Sequence, residues 1–187
     1  MKTIRFWPVF ILALVCAVPA RAQSADPFTR GARLNYGIIK GFVTAAAAKM
    51  PEENYPFKPT PEVRTFAQLI GHLADANYRL CSVVAGQTPP RDEQIEKTKS
   101  AKADLAAALA ASFAYCDGQY ASMTDGAGAA IVTFEAGGEG ARVPIRMPKL
   151  TVFAFHAQHA FEHYGNIVTY MRLKGLVPPS SEPRPRP

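Results

Sequence analysis

The sequence predicts a single all-α domain, a four-helix bundle with a short β-hairpin inserted between its third and fourth helices. The chain has 187 residues, 48% hydrophobic and 19% charged, which suits one compact domain with a substantial core. Beyond the N-terminus, apolar residues recur mostly at helical spacing in four long stretches, as in a helix bundle. Alternating strand-like spacing is confined to the segment between the third and fourth stretches.

The N-terminus is typical of a secretory signal peptide. Residues 1–5 carry two positive charges, and residues 6–18 form an apolar run interrupted only by Pro8. The run is too short to anchor the chain in a bilayer, and residues 20–22 supply the small-x-small pattern of a cleavage site. We therefore expect cleavage after Ala22, a periplasmic or secreted protein without a stable membrane anchor, and a bundle formed by residues 23–177.

The charge balance argues against nucleic acid as a partner. Removal of residues 1–22 takes away three basic residues, so the formal net charge falls from +6 to +3. The remaining basic residues are interleaved with 15 acidic ones and do not form the clusters that nucleic-acid binding requires. The expected partner is a small-molecule substrate of unknown identity, and the sequence leaves a homodimer open.

The first two helices are bounded by proline and glycine. Apolar residues predict a first helix over about 27–50, which Pro51 ends, although its three glycines lower the helix propensity. A proline-rich connection leads to the second helix, predicted over 62–85 with Gly86 at its C-terminal stop.

The second half of the chain predicts two more helices separated by a hairpin. Ser100 is well placed to cap the third helix, whose apolar face runs to Met123. Residues 131–136 and 141–147 predict two strands, joined by a glycine-rich turn. The fourth helix is predicted over 149–174. The proline-rich residues 178–187 predict a disordered tail.

The chain's four histidines all lie in two predicted helices. His72 lies at the edge of the apolar stripe of the second helix, and His156, His159 and His163 lie in the fourth. Residues three, four and seven apart occupy one face of a helix, within an arc of about 60°. The spacing of His159 and His163 suits metal chelation by one helix.

Two interpretations of the histidines compete. Each one alone is ordinary as a partly buried residue with one hydrogen bond. Three neutral imidazoles that converge in an apolar bundle would instead leave several nitrogens in need of partners, which a divalent cation satisfies together. Three protein ligands leave a coordination position open, as in reactive rather than structural sites.

Glu162 offers a rival motif. Residues 159–163 match H-x-x-E-H, the inverted zinc-protease pattern, in which the glutamate activates water. Such a protease needs a further ligand well downstream, where only Glu182 in the proline-rich tail is available. The alternative for Glu162 is a solvated helix carboxylate.

Two segments of the chain resemble the DinB family, and the resemblance spans about residues 27–179. The second helix contributes residues 65–76, which include His72. The closing part contributes residues 170–172, residues 175–179 and the segment His159-Ala160-Phe161-Glu162-His163-Tyr164-Gly165-Asn166.

The resemblance implies an up-down-down-up bundle that holds a divalent metal, nickel or zinc, through His72, His159 and His163. Relatives include transferases and isomerases that depend on bacillithiol or mycothiol. Two features depart from the family pattern, because Tyr164 stands where many members have arginine and the chain carries an export signal. Low-molecular-weight thiols are cytoplasmic, so an exported member is not expected to use one. His156 is either a ligand in place of His159 or a residue that packs or hydrogen-bonds near the site.

The connection between the second and third helices leaves the state of two cysteines open. Fourteen residues can cross the ~36 Å length of such a helix, so the two helices can run parallel. Cys81 and Cys116 then come to similar heights and can form a disulfide, whereas antiparallel packing separates them by about 18 Å or more. The alternative is a small buried cysteine in an apolar stripe.

The sequence thus predicts a metal-dependent hydrolase or group transferase of unknown substrate, with a non-catalytic metal-binding or ligand-binding envelope protein as the alternative. A third possibility is a stress-related structural module whose site has lost its metal. Asp75 and Asn166, each about one turn from a predicted ligand, are candidates to orient a ligand imidazole or a water molecule. For Asp75, solvent exposure is an equal alternative.

Overall fold

Four long helices and a two-stranded hairpin form the structure, a computed structural model that describes residues 25–90, 94–136 and 143–183. The predicted all-α bundle with an inserted hairpin is confirmed. In chain order the elements are α1 (Pro27–Lys49), α2 (Phe66–Ala85), α3 (Ile95–Thr98), α4 (Lys102–Ser122), α5 (Asp125–Gly128), β1 (Ile131–Ala136), β2 (Val143–Pro148) and α6 (Lys149–Leu173).

Contacts between the helices give the up-down-down-up order. Asn77 of α2 donates a hydrogen bond to Ser112 of α4, and the next turn of each helix is joined by the Cys81–Cys116 disulfide. Both pairs are 35 residues apart, as parallel helices require.

The first and last long helices, α1 and α6, run opposite to this pair. Lys40 of α1 contacts Asp117 of α4, whereas the earlier residue Arg33 contacts the later Tyr120, which makes α1 and α4 antiparallel. His72 of α2 lies beside His159 of α6, whereas the backbone carbonyl of the earlier residue Arg64, just before α2, accepts from the later Tyr170. Helices α2 and α6 are therefore antiparallel as well.

Local capping sets the start and end of α2. The Thr65 hydroxyl accepts from the backbone N–H of Gln68, and the Gln68 side chain accepts from the backbone N–H of Thr65, a complete capping box. This box places the first helical residue at Phe66, later than the predicted start at residue 62. Gly86 ends the helix with a φ of 69°, which glycine adopts without a steric penalty.

The predicted cap at Ser100 is wrong. Helix α4 begins at Lys102, and Ala101 before it provides no side-chain cap. The Lys102 ammonium instead donates to the backbone carbonyls of Ala48 and Met50 at the end of α1. The start of this helix is therefore tied to the end of another one, which local sequence does not reveal.

A distant residue caps α1. The Asp125 carboxylate accepts hydrogen bonds from the backbone N–H groups of Phe28 and Thr29 and from the Thr29 hydroxyl, and Asp26 in turn accepts from the Asp125 backbone N–H. The short helix α5 therefore satisfies orphan donors at the start of α1.

The core lies between all four long helices and is rich in aromatic side chains. Tyr120 of α4 stacks on Tyr36 of α1 and on Phe153 of α6, with ring centroids 4.0 and 3.8 Å apart. All three rings are buried. This stack fixes the spacing of three helices, and the disulfide between α2 and α4 attaches the remaining one.

The hairpin confirms both predicted strands. β1 and β2 are antiparallel, and Pro144 lies opposite Glu135 in a sheet of two strands, where a proline is tolerated at an edge. Phe134 is buried against the bundle. The predicted glycine-rich turn at 137–140 lies outside the described residues.

Part of the predicted C-terminal tail is described by the structure, whereas the predicted signal peptide is not. Residues 178–183, placed by the sequence in a disordered tail, contain a 3-10 turn at Pro179–Ser181, and the Ser180 N–H donates to the Tyr164 hydroxyl. Residues 184–187 and the signal peptide predicted over 1–22 lie outside the described residues. Within the described ranges, no helix combines the length and apolarity needed to cross a membrane.

Gly71 is required for the close packing of α3 on α2. A Cβ atom at this position would lie 2.6 Å from the Glu96 Cα and 2.9 Å from the Glu96 backbone nitrogen. We expect Gly71→Ala to lower the free energy of unfolding by about 2 kcal/mol, because backbone must move to admit the methyl group. Urea denaturation followed by circular dichroism measures this change.

Gly118 provides the matched control for this substitution. It lies within α4, and a Cβ atom there would meet no neighbouring element within 4 Å among the described residues. Gly118→Ala should therefore stabilise the protein by about 0.5–1 kcal/mol, since alanine is the better helix former. Equal effects of the two substitutions would contradict the proposed close contact.

Candidate metal centre

Three of the four histidines meet between α2 and α6. The Nε2 atoms of His72 and His159 are 3.1 Å apart, and the His163 ring centroid lies 4.6 Å from that of His72 and 4.4 Å from that of His159. One nitrogen from each ring lies within 4.8 Å of the others. The antiparallel packing of α2 against α6 brings His72 to the same height as the one-turn pair on α6.

The spacing of two of these donors, His72 and His159, fits a divalent cation. Metal–nitrogen distances of about 2.0–2.1 Å put neighbouring ligand atoms about 3.3 Å apart in a tetrahedral site and about 2.9 Å apart in an octahedral one. The separation of 3.1 Å between the Nε2 atoms of His72 and His159 lies between these values. In addition, Nδ1 of His163 is buried without a hydrogen-bond partner among the described residues.

The environment keeps the three imidazoles neutral. Burial lowers the pKa of His159 to about 3, and the neighbouring His163 and His72 contribute to this shift by repulsion between the charged forms. Burial likewise lowers the pKa of His163 to about 4. The pKa of His72 is lowered mainly by burial, which Arg64 reinforces and Glu96 opposes. Near neutral pH each ring therefore offers an unprotonated nitrogen, the form that binds metals.

Glu96 is a site residue that the sequence did not reveal. Its Oε2 atom accepts from Nδ1 of His72 at 3.0 Å, and its Oε1 atom accepts from Nε of Arg64 at 2.8 Å. It lies on α3, in a segment that the sequence predicts as a polar connection. Helical or motif spacing could not identify it, because 24 residues and a change of direction separate it from His72.

Asp75 and Asn166, the two predicted orienting residues, do not contact the imidazoles. The Asp75 carboxylate accepts from the backbone N–H groups of Ile95 and Glu96 and so holds α3 in place. Asn166 is exposed on α6. Asp75 therefore positions α3 rather than a ligand imidazole, whereas Asn166 lies with His163 in the lining of the adjoining cleft.

Comparison with known families identifies the fold. The family model of the DinB superfamily matches residues 43–167, about two thirds of the chain. The chain belongs to the DinB superfamily. The match includes all three histidines of the cluster and both cysteines of the disulfide.

Solved structures show the same DinB bundle at low sequence identity. A DinB-like protein from Bacillus cereus is 16% identical with a TM-score of 0.65, covering 80% of this chain and 95% of that one. A conserved protein from Enterococcus faecalis is 15% identical, with a TM-score of 0.60 and coverages of 78% and 95%. The mycothiol-dependent maleylpyruvate isomerase is 16% identical, with a TM-score of 0.57 and coverages of 74% and 60%. No curated protein matches significantly.

His156, the fourth histidine of this DinB chain, lies outside the cluster. Its Nε2 is 2.8 Å from Oδ1 of Asn77 and its Nδ1 is 3.1 Å from the Tyr120 hydroxyl. Both ring nitrogens thus have hydrogen-bond partners in a buried network. His156 is therefore not placed to act as a metal ligand in place of His159. Burial lowers the pKa of His156 to about 4.

The two cysteines form the disulfide that parallel packing allows. Cys81 and Cys116 are fully buried, and their Cα atoms are 5.4 Å apart. A ring nitrogen of His156 lies within 4.8 Å of both sulfur atoms, so the three residues have the spacing of a ligand group. The sulfurs are bonded to each other, however, and a disulfide provides no thiolate ligand.

A polar cleft adjoins the histidine cluster. Its volume is about 520 Å³, and its lining residues include His163, Arg64, Glu96 and Glu162. Glu182, the downstream acid considered for the protease motif, pairs with Lys49 instead of approaching the cluster. A larger groove of about 670 Å³ lies between α1 and α6, but it is mainly apolar and contains none of the three clustered histidines. The cleft is therefore the better candidate for substrate binding.

Proposed function

We propose that this DinB protein holds one divalent metal ion through His72, His159 and His163 and uses it in a hydrolytic or group-transfer reaction. The observation that carries the proposal is the convergence of three neutral imidazoles from two helices, including the 3.1 Å approach of two Nε2 atoms. A bound divalent ion would supply Lewis-acid chemistry at a carbonyl or phosphoryl group.

The donor set supports nickel or zinc and an open site. Imidazole nitrogens suit both metals. Three protein ligands are typical of catalytic zinc sites, whereas structural sites are closed by four. The cleft beside His163 gives a small substrate access to that side of the cluster, where Arg64 and Glu162 provide polar groups that can bind it.

We further propose that the protein works in the periplasm or outside the cell and does not depend on a low-molecular-weight thiol. The signal-like pattern of residues 1–22 supports export. The Cys81–Cys116 disulfide adds support, because such bonds persist in oxidising compartments. The mycothiol dependence of the isomerase therefore does not extend to this chain, and its transfer reactions would use other donors.

Metal analysis of protein purified without a histidine tag tests the site. We expect about one nickel or zinc ion per chain in the wild type. In His159→Ala the metal content per chain should be at least about tenfold lower, because one of three ligands is removed. Gln158→Ala is the matched control, since it changes the preceding, exposed residue of the same helix. A wild-type stoichiometry near zero, after incubation with both metals, would overturn the proposal.

A substrate screen separates the enzyme from the alternative. Ester, phosphoester, amide and thiol-transfer substrates are offered to protein loaded with nickel, zinc or manganese. Turnover that His159→Ala abolishes supports the metal-dependent enzyme. Inactivity on every substrate with a filled site would instead favour a non-catalytic metal- or ligand-binding protein of the cell envelope.

A further inference from the structure

We infer that Glu96 is a positioning residue that sets the metal affinity of the histidine centre by fixing the tautomer and orientation of His72. The inference rests on the proposed metal site. It assigns a role to a residue on α3, an element that contributes no ligand, and it links that element to the centre through a defined set of hydrogen bonds.

The tautomer of His72 follows from the contact with Glu96. An ionised carboxylate can only accept hydrogen bonds, so the 3.0 Å contact requires that Nδ1 of His72 carries the proton and donates it. In the neutral ring, Nε2 is then unprotonated. That atom is the one that lies 3.1 Å from Nε2 of His159, so the lone pair points into the cluster.

The Glu96 carboxylate is itself held from two sides. While one oxygen binds His72, the other accepts from Nε of Arg64 at 2.8 Å. The backbone carbonyl of Arg64 in turn accepts from the Tyr170 hydroxyl of α6. Rotation of the carboxylate would therefore break one of two hydrogen bonds, and Arg64 is anchored to the helix that carries the other two histidines.

The backbone of Glu96 is fixed by the residues that flank His72. Asp75, three residues after His72, accepts from the N–H groups of Ile95 and Glu96 at 2.9 and 3.0 Å. Gly71, just before His72, leaves no room for a Cβ against the Glu96 backbone. Ile95 is buried. The same turn of α2 that presents His72 therefore also positions its hydrogen-bond partner.

This arrangement has a measurable consequence for metal binding. A carboxylate on the second nitrogen of a ligand imidazole orients the ring and makes the other nitrogen a stronger donor, and its loss typically costs about 10–100-fold in metal affinity. If the Glu96 carboxylate only formed a structural ion pair with Arg64, its removal would leave the metal affinity unchanged.

The test compares dissociation constants for Zn²⁺ and for Ni²⁺, measured by competition with a chromophoric chelator on the chain from residue 23. We expect Glu96→Ala to raise both constants by about 10–100-fold. Glu96→Gln should have a smaller effect, because its amide oxygen still accepts from Nδ1 of His72. Asp117→Asn is the matched control, since it removes the ion pair with Lys40 on another face of the bundle.

Proton NMR of the zinc-loaded protein adds a readout that a structural ion pair would not move. In the wild type and in Glu96→Gln, the Nδ1 proton of His72 should be protected from exchange with solvent and give a signal. In Glu96→Ala that signal should be lost through exchange. Wild-type affinity in Glu96→Ala, or an equal loss in Asp117→Asn, would overturn the role of Glu96. A wild type that binds neither metal would instead overturn the proposed function, and the assignment with it.

Discussion

Replacing Cys81 and Cys116 together with alanine should lower the free energy of unfolding by about 4 kcal/mol. The disulfide closes a loop between residues 35 apart, and closing a loop of this size removes conformational entropy from the unfolded chain worth about 4 kcal/mol at 25 °C. It also joins two parallel helices, α2 and α4. Without it, α2 and α4 are held together by side-chain packing and by side-chain hydrogen bonds such as that from Asn77 to Ser112.

Urea denaturation followed by far-UV circular dichroism measures this loss on the chain from residue 23, which lacks Cys16. A thiol or phosphine reductant present during unfolding should bring the wild type down to the stability of the double variant. The same reductant should leave the double variant unchanged, which controls for its direct effects. If the wild type unfolds at the same urea concentration with and without reductant, the disulfide does not stabilise the fold.

The features that the sequence predicted are those encoded by local periodicity. Apolar residues at helical spacing indicated the four long helices, and the change to alternation indicated both strands. The pairing of His159 with His163 was likewise visible, because a separation of four residues places side chains on one face of a helix. Such patterns depend on neighbours within one or two turns.

The features that sequence analysis missed depend on contacts between distant segments. Asp125 caps α1 from 96 residues beyond Thr29, which no local pattern signals. The Ser100 cap failed because α4 is anchored through Lys102 to the end of α1. Glu96 reaches His72 only because Gly71 lets α3 approach the helix closely. Each depends on packing between elements rather than on the preference of a segment.

The position of His156 shows the same limit within the candidate site. By helical spacing alone it lies on the face of His159 and His163, so it remained an alternative ligand. The deciding partners, Asn77 and Tyr120, come from two other helices. Because Asn77 donates through its amide to Ser112, its oxygen is left to accept from Nε2 of His156. This assigns the proton of the neutral ring to Nε2 and makes Nδ1 an acceptor for Tyr120.

The burial of this neutral ring should make stability depend on pH. The pKa of His156 is about 4 in the folded protein against an ordinary value of 6.5, because burial disfavours the charged form. Below pH 6.5 the unfolded chain therefore takes up a proton that the folded chain does not. The contribution of His156 to the free energy of unfolding is therefore fully present above the ordinary pKa. It falls as the pH drops, by about 3 kcal/mol at about pH 4.

Comparison with His156→Gln isolates this contribution. Urea denaturation at about pH 7 and about pH 4, in the presence of a chelator, should show about 3 kcal/mol less loss in the variant than in the wild type. The clustered histidines shift stability in the same direction in both proteins, so their effect cancels in the difference. Tyr120→Phe removes the hydroxyl beside Nδ1 but keeps the imidazole, and it should therefore retain most of the pH dependence. If His156→Gln loses as much stability as the wild type on acidification, then His156 is already protonated in the folded protein or the ring is not buried.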